Sequence, residues 1–176
     1  MAKEDGEPYK AALLLNGTLG DKSFYDSANA GLEALQEELG DDKFTFKVEQ
    51  MGATSADEAK WEPTMYDYCD DGSYDVIICG TYQMLDALTN AAADYPDQKF
   101  ILYDESVDFS DGANSNIYCM TYKCYEGGYL AGVLGTSASK TGQLGFAGGF
   151  DIPLINDWLV GYIEGAKVVN PDIKIN

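Results

Sequence analysis

Short apolar segments alternate with amphipathic segments through the first two thirds of the chain. The amphipathic segments repeat apolar residues at helical spacing, with Trp61, Met65 and Tyr68 on one predicted helix face. Strands that are apolar throughout and separated by helices are typical of a parallel sheet buried on both faces. We therefore predict an α/β fold, a doubly wound parallel sheet. Its predicted elements are Tyr9–Leu15, Phe24–Leu39, Phe44–Val48, a helix that begins around Ser55 with Pro63 near its start, Tyr74–Cys79, Met84–Ala93, Lys99–Tyr103 and Asn116–Met120.

The last third of the chain predicts the beginning of a second α/β unit. Helices at Tyr125–Ser137 and Pro153–Val169 alternate with strands at Gln143–Ala147 and Ile173–Ile175. Two strands and two helices are too few to cover a sheet. We therefore expect residues 1–121 to form one complete lobe and residues 122–176 to form the truncated start of a second. The residues expected on the buried stripe of the second helix are Ile155, Leu159 and Ile163.

Composition and charge exclude several classes of partner. The 176 residues carry a formal net charge of −19, which disfavours nucleic acid and anionic lipid, because both require clustered Lys and Arg. No apolar run reaches the ~18 residues of a membrane-spanning helix. The start, Met1–Glu7, is polar and lacks the pattern of a signal peptide. The chain is therefore either cytosolic or an exported protein whose leader has been removed.

The sequence lacks the residue patterns of common catalytic and metal-binding sites. There is no histidine, which excludes Ser-His-Asp and Cys-His arrangements, and the four cysteines lack zinc-ligand spacing. We expect Cys79 to be a small buried hydrophobe and favour free thiols over a Cys119–Cys124 disulfide. Gly135–Thr141 fails the phosphate-loop pattern, and no dinucleotide fingerprint follows a strand. We predict no cofactor and no enzymatic activity; an α/β enzyme of flavodoxin-like shape remains an alternative.

The most informative segment is the turn from Asn16 to Phe24, between the first strand and the first helix. Ligands of open α/β sheets bind at the carboxyl ends of strands. The loops Gly17–Ser23, Gly80–Gln83 and Asp104–Ser106 all follow strands and are expected to meet along one rim. There Asp21 and Asp104 would accept hydrogen bonds from a ligand, and Ser23 and Thr81 would donate them. Each aspartate could equally stabilise its own turn or cap a helix.

Three aromatic residues are candidates for ligand contact. Phe24 begins the apolar stripe of its helix, so a core position is favoured, although it remains a candidate. Trp158 lies among the apolar residues of the last helix, close to a loop expected to face a cleft. It could stack on a ligand or be buried in the core, and Tyr82 presents the same alternatives.

Several motifs in order resemble one family of proteins. They are the Gly20–Phe24 turn, Tyr95–Phe100 followed by Asp104, Glu126–Gly132, and Gly145–Gly149 with Pro153. These resemble the BMP (basic membrane protein) family, substrate-binding lipoproteins of ABC transporters that include bacterial purine nucleoside receptors. The resemblance implies a periplasmic binding protein type 1-like fold, with two lobes that close on a ligand in a chain roughly twice this length. It also implies a small-molecule ligand, an ABC permease as partner and an extracytoplasmic location. The family's lipidated cysteine would precede Tyr9, where none is present, so we expect the leader and lipid anchor to have been removed.

The resemblance also assigns site residues. Asp21 and Asp104 match aspartates that contact the nucleoside in the family's receptors. One of the aromatic residues that stack on the purine falls at Asn29 here, and the usual asparagine after Phe24 is Tyr25. The predicted function is therefore the extracytoplasmic binding of a small polar ligand, a purine nucleoside, in an interlobe cleft for an ABC transporter. The alternative is a ligand-sensing receptor of the same fold without a transport role.

Overall fold

The computed structural model describes residues 6–176. Most of the polar start, Met1–Glu7, and the first five residues of the predicted first lobe therefore lie outside the described residues. The chain divides into two compact units between Thr121 and Tyr122. Each unit is described by itself.

The first unit is a five-stranded parallel sheet with three α-helices. Its strands lie in the order β2-β1-β3-β4-β5, and every neighbouring pair is parallel. The predicted α/β fold with a parallel sheet is confirmed. The elements are β1 (Tyr9–Leu15), α1 (Phe24–Leu39), β2 (Phe44–Gln50), α2 (Ser55–Asp71), β3 (Val76–Gly80), α3 (Leu85–Asp94), β4 (Lys99–Tyr103) and β5 (Ile117–Met120).

The sheet packs against helices on both faces. Alternate residues of a strand point to opposite faces, so Leu14 belongs to one cluster and its neighbours Leu13 and Leu15 to the other. The larger cluster contains residues of α2 and α3, among them Trp61 and Met65. The smaller one packs against residues of α1. This is the doubly wound arrangement, in which helices cover opposite faces of one parallel sheet.

Helix α2 begins where it was predicted to begin, but the position of Pro63 within it differs from the prediction. Its N-cap is Thr54, whose hydroxyl donates to the Asp57 carboxylate (2.6 Å), while the same carboxylate accepts the Thr54 backbone N–H (3.2 Å). This capping box starts the helix at Ser55. Pro63 therefore lies inside the helix rather than near its start, at a position where the ring removes one backbone hydrogen bond.

The second unit is built on a close pair of helices. It consists of α4 (Cys124–Ala138), β6 (Gln143–Leu144), α5 (Pro153–Val169) and β7 (Lys174–Ile175), with β6 and β7 parallel. The predicted buried stripe of α5 is wrong, because Ile155, Leu159 and Ile163 are only partly buried. The buried residues are Gly161, Gly165 and Ala166. A Cβ atom at Gly165 would lie 2.0 Å from a backbone oxygen of α4, so the helices approach each other where side chains are smallest.

Two further predictions concern cysteines and membranes. All four cysteines are free thiols, as favoured, and Cys79 is fully buried. Burial raises the pKa of the Cys79 thiol to about 12, with a smaller contribution from Cys119. No helix among residues 6–176 is both long enough and apolar enough to span a bilayer.

Candidate functional site

In a parallel sheet with this strand order, a crevice is expected at the carboxyl ends of β1 and β3. These two strands are neighbours in the sheet. From β1 the chain crosses through α1 to β2 on one side, whereas from β3 it crosses through α3 to β4 on the other. Loops that leave in opposite directions open a space between them, and ligands of such sheets bind there.

Asn16, directly after β1, joins the loops at this crevice. Its side chain is buried (1% exposed), and its Nδ2 donates to Thr81 Oγ1 and to Gln83 Oε1, each at 3.3 Å. The Tyr25 hydroxyl donates to the backbone oxygen (3.1 Å) and to Oδ1 (3.3 Å) of Asn16. One amide therefore connects β1, the loop after β3 and the first turn of α1. Asn16 begins the turn singled out in the sequence but was not among the predicted site residues, although a polar residue that ends an apolar strand was a usable signal.

The loops after β3 and β4 have unusual backbone conformations. Thr81 has φ +73° and Asp104 has φ +64°, in the left-handed region that residues other than glycine rarely occupy. The backbone N–H of Thr81 donates to the Tyr103 oxygen (3.1 Å), and that of Asp104 donates to the Met120 oxygen (2.8 Å). Such conformations persist only where neighbouring contacts hold them, and they occur often at binding sites.

The Asp21 carboxylate caps the first turn of α1. Its Oδ1 accepts the backbone N–H groups of Ser23 (3.0 Å) and Asp26 (3.1 Å), and its Oδ2 accepts that of Tyr25 (3.0 Å). Desolvation raises the pKa of Asp21, but the N–H donors of its turn outweigh it and hold the pKa below its usual value. A carboxylate offers about four acceptor positions. The backbone N–H of Phe24 also lowers this pKa, so four donors of its own turn face the Asp21 carboxylate.

Asp104 presents a different carboxylate. Burial, with a smaller contribution from the neighbouring Glu105, raises its pKa above the usual value. Among residues 6–176 no side-chain or backbone group donates a hydrogen bond to the Asp104 carboxylate, so both oxygens are available to a ligand. Asp21 and Asp104 follow β1 and β4 of the same parallel sheet and therefore lie along the same rim.

Phe24 and Tyr103 form an aromatic pair at this rim. Their ring centroids are 6.4 Å apart with an interplanar angle of 30°. Phe24 is 42% exposed, so the favoured core position is wrong: as the first residue of α1 it is not enclosed by the sheet. The absence of a side chain at Gly80 leaves room for the Tyr103 ring, because a Cβ atom at Gly80 would lie 2.0 Å from that ring. Tyr103 was not among the predicted site residues, and Gly80 was predicted only as the start of a rim loop.

The other predicted site residues are less closely linked to the crevice. Ser23 is exposed, and Tyr82 is partly buried in the 3-10 turn Tyr82–Met84. Asn29 Nδ2 donates to Glu33 Oε1 (2.8 Å), one turn further along α1. Trp158 belongs to the second unit, where its ring lies against α4 at Gly127 and remains 36% exposed. The roles of all eight candidates in ligand binding stay predictions.

One cleft in the described part of the chain lies away from the predicted rim. A cleft of about 690 Å³ lies at the opposite end of the sheet, where β3 and β4 begin. None of the predicted ligand residues lines it. No group of three or more Cys, Asp or Glu side chains within the described residues is arranged to hold a metal ion.

The chain matches one family model and several curated proteins. Residues 9–176 match the family model described as "ABC transporter substrate-binding protein PnrA-like". Basic membrane protein A of Borreliella burgdorferi is 34% identical over 167 residues, which are 95% of this chain and 46% of that protein. The ABC transporter nucleoside-binding protein BmpA of Lactococcus lactis is 29% identical over 168 residues, again 95% and 46%. The chain thus spans about half the length of the curated relatives it matches.

A solved structure shows the same fold. An ABC transporter system solute-binding protein from Aeropyrum pernix superimposes with a TM-score of 0.75 at 25% identity. The match covers 96% of this chain and 46% of that one. The predicted periplasmic binding protein type 1-like architecture is therefore confirmed.

Proposed function

The chain belongs to the Bmp family of PnrA-like ABC transporter substrate-binding proteins, and from this we propose that its rim binds a purine nucleoside. The family is one of substrate-binding proteins rather than of enzymes. Because the chain spans about half the length of its relatives, the activity of the whole protein is part of the proposal. The relative from Lactococcus lactis is named as nucleoside-binding, which supports this choice of ligand.

The observation that carries the proposal is the pairing of an open carboxylate with an exposed aromatic ring. The Asp104 oxygens are suited to accept from ribose hydroxyls, because hydrogen bonds to a charged acceptor are the stronger ones. Phe24 is supported from behind by Tyr103 and offers a flat surface to a purine. The Asp21 carboxylate is already engaged by the backbone of its own turn, so Asp21 is a secondary proposed contact. The hydroxyls of Ser23 and Thr81 add donors. We also propose ligand contacts that are less directly supported by the geometry, namely Asn29, Tyr82 and Trp158.

We further propose that the protein delivers its ligand to an ABC permease outside the cytoplasm. In this role it would be held at the membrane by a lipid anchor. A polar site of this kind selects its ligand because an analogue that lacks a hydroxyl leaves buried polar groups unpaired. No cofactor is required for binding and release.

The proposal is tested by NMR titration of the 176-residue chain with inosine, ribose and hypoxanthine. We expect inosine to shift amide resonances at the ends of β1, β3 and β4. Asp104→Asn should weaken inosine binding by at least about 1.5 kcal/mol, the lower end of the scale for a hydrogen bond to a charged group. Asparagine is preferred to alanine because it tolerates the positive φ of this position.

The control is Asp67→Asn, which makes the same change at an exposed position of α2. Equal inosine affinity for the Asp104 variant and the parent chain would remove Asp104 from the site. Absence of any rim shift with inosine would refute the nucleoside proposal itself.

A further inference from the structure

The buried amide of Asn16 determines which hydrogen-bonding groups its neighbours have left to offer. Asn16 Nδ2 carries only hydrogens, so Thr81 Oγ1 and Gln83 Oε1 must both accept from it. The Thr81 hydroxyl hydrogen then points elsewhere. The Gln83 NH2 group, on an exposed side chain, is likewise directed away from Asn16.

Tyr25 lies on the oxygen side of this amide. Its hydroxyl lies within hydrogen-bond distance of both oxygens of Asn16, the backbone oxygen and Oδ1. Burial, with a smaller contribution from the charge of Asp21, raises the pKa of Tyr25. The phenol therefore stays protonated and has one hydrogen to donate to these two oxygens. The hydrogen bonds from Nδ2 to Thr81 and Gln83 place the Oδ1 of the amide on the Tyr25 side.

We propose that Asn16 is a positioning residue that sets the hydrogen-bond polarity of the crevice, with Thr81 and Gln83 held as donors toward the ligand. The ligand must then present acceptors, such as ring nitrogens or an ether oxygen, to the loop after β3. It must present donors to Asp104. The inference deepens the proposed function and rests on it for the identity of the ligand, although not for the state of the hydrogen-bond network.

Asn16→Asp tests the polarity because it changes one NH2 group to an oxygen and keeps the shape. An ionised carboxylate has no hydrogen to donate, so Thr81 and Gln83 would turn their hydrogens toward it and away from the ligand. We expect inosine affinity to fall at least about tenfold at neutral pH, the scale of one hydrogen bond. When the introduced carboxyl is protonated it again donates on one side and accepts on the other. Lowering the pH should therefore restore binding.

The ratio of parent to variant affinity is measured across pH. The ratio removes the titration of Asp104 and Asp21, which both proteins share. Tyr25 is the titratable group that contacts the amide, and it stays protonated throughout this range. A residue with a merely structural role would give a ratio that does not change with pH. A constant ratio, or affinity of the variant equal to that of the parent, would overturn the proposal.

A second variant protects against misfolding of the first. Gln83→Glu still accepts from Asn16 but offers no N–H to a ligand, and its side chain is exposed. It should weaken inosine binding, whereas Gln98→Glu, the same change at the opposite end of the sheet, should not. Equal effects of these two substitutions would contradict the polarity we assign.

The network can also be read without any ligand, which separates this inference from the nucleoside proposal. In Asn16→Asp the side-chain NH2 resonances of Gln83 should move at neutral pH and return toward the parent positions in acid. If they do so while inosine fails to bind the parent chain, the polarity proposal stands and the nucleoside proposal fails. If they do not move, the polarity proposal fails whatever the ligand proves to be.

Discussion

Gly80→Ala is the sharpest steric test of how the rim is built. Gly80 ends β3 and lies beneath the Tyr103 ring, which is itself buried (7% exposed). A Cβ atom at Gly80 would lie 2.0, 2.1 and 2.5 Å from three carbons of that ring. Carbon atoms in contact are ~3.5 Å apart, so the ring must move by roughly 1.5 Å. That movement also disturbs the stacking of Phe24 on Tyr103.

The expected cost follows from two opposing terms. Overpacking of a filled core costs about 1–3 kcal/mol. Replacing glycine by alanine recovers about 0.4–1 kcal/mol, because the unfolded chain loses freedom. We therefore expect Gly80→Ala to lower the free energy of unfolding by up to about 2.6 kcal/mol. Once Tyr103→Ala has removed the ring, Gly80→Ala should be neutral or stabilising.

Urea unfolding of the parent chain, Gly80→Ala, Tyr103→Ala and the double variant measures the coupling energy between the two positions. The chain has two tryptophans, Trp61 in the first unit and Trp158 in the second, so a Trp158→Phe background makes the fluorescence report the first unit alone. Gly31→Ala, in α1 where a Cβ meets nothing within 4 Å, is the control. Gly31→Ala should raise the free energy of unfolding by about 0.5–1 kcal/mol. Strictly additive costs of Gly80→Ala and Tyr103→Ala would refute the steric account.

Three other outcomes are expected. Gly132→Ala places a Cβ atom 2.1 Å from a backbone oxygen of α5, so it should lower the thermal midpoint of the second unit. Gly149→Ala is the control, because a Cβ atom there has nothing within 4 Å and should leave the midpoint unchanged. Equal midpoints for the two variants would contradict the close helix pair. A carboxyl NMR titration should show the pKa of Asp57 lowered from 3.8 to about 2, first by its hydrogen bond from Lys60, and a value near 4 would contradict it. The stability that Asp57 contributes is then complete above pH 3.8 and is lost as the pH falls toward 2. Asp21→Ala should lower the urea midpoint of the first unit, while Asp21→Ser, which can still cap α1, should lower it less.

The fold followed from periodicity because a parallel sheet has few ways to bury continuous apolar strands. Residues such as Leu13, Leu14 and Leu15 need cover on both faces, and the intervening helices provide it. Periodicity failed where packing depended on small residues instead. In α5 the most buried positions include Gly161 and Gly165, which an apolar stripe does not register.

The placement of three loops at one edge of the sheet was predictable, whereas the contacts among them were not. Strand ends placed the loops of Asp21, Thr81 and Asp104 along one rim, because parallel strands end at the same edge. The buried Asn16 and the ring of Tyr103 were missed, since their roles come from partners far away in the sequence. Phe24 was assigned to the core because sequence spacing does not reveal that a helix begins beyond the end of the sheet.

The ligand contacts proposed for the rim combine features that few small molecules satisfy together. Asp104 offers acceptors alone, Thr81 and Gln83 offer donors under the polarity proposed for Asn16, and Phe24 offers a flat apolar face. A free sugar meets the first two but leaves the aromatic ring in water. A free base meets the ring but leaves Asp104 without hydroxyl donors. A nucleoside presents hydroxyls, acceptors and a flat base in one rigid unit, and because the crevice is held by contacts within the first unit, little of it needs to be ordered on binding.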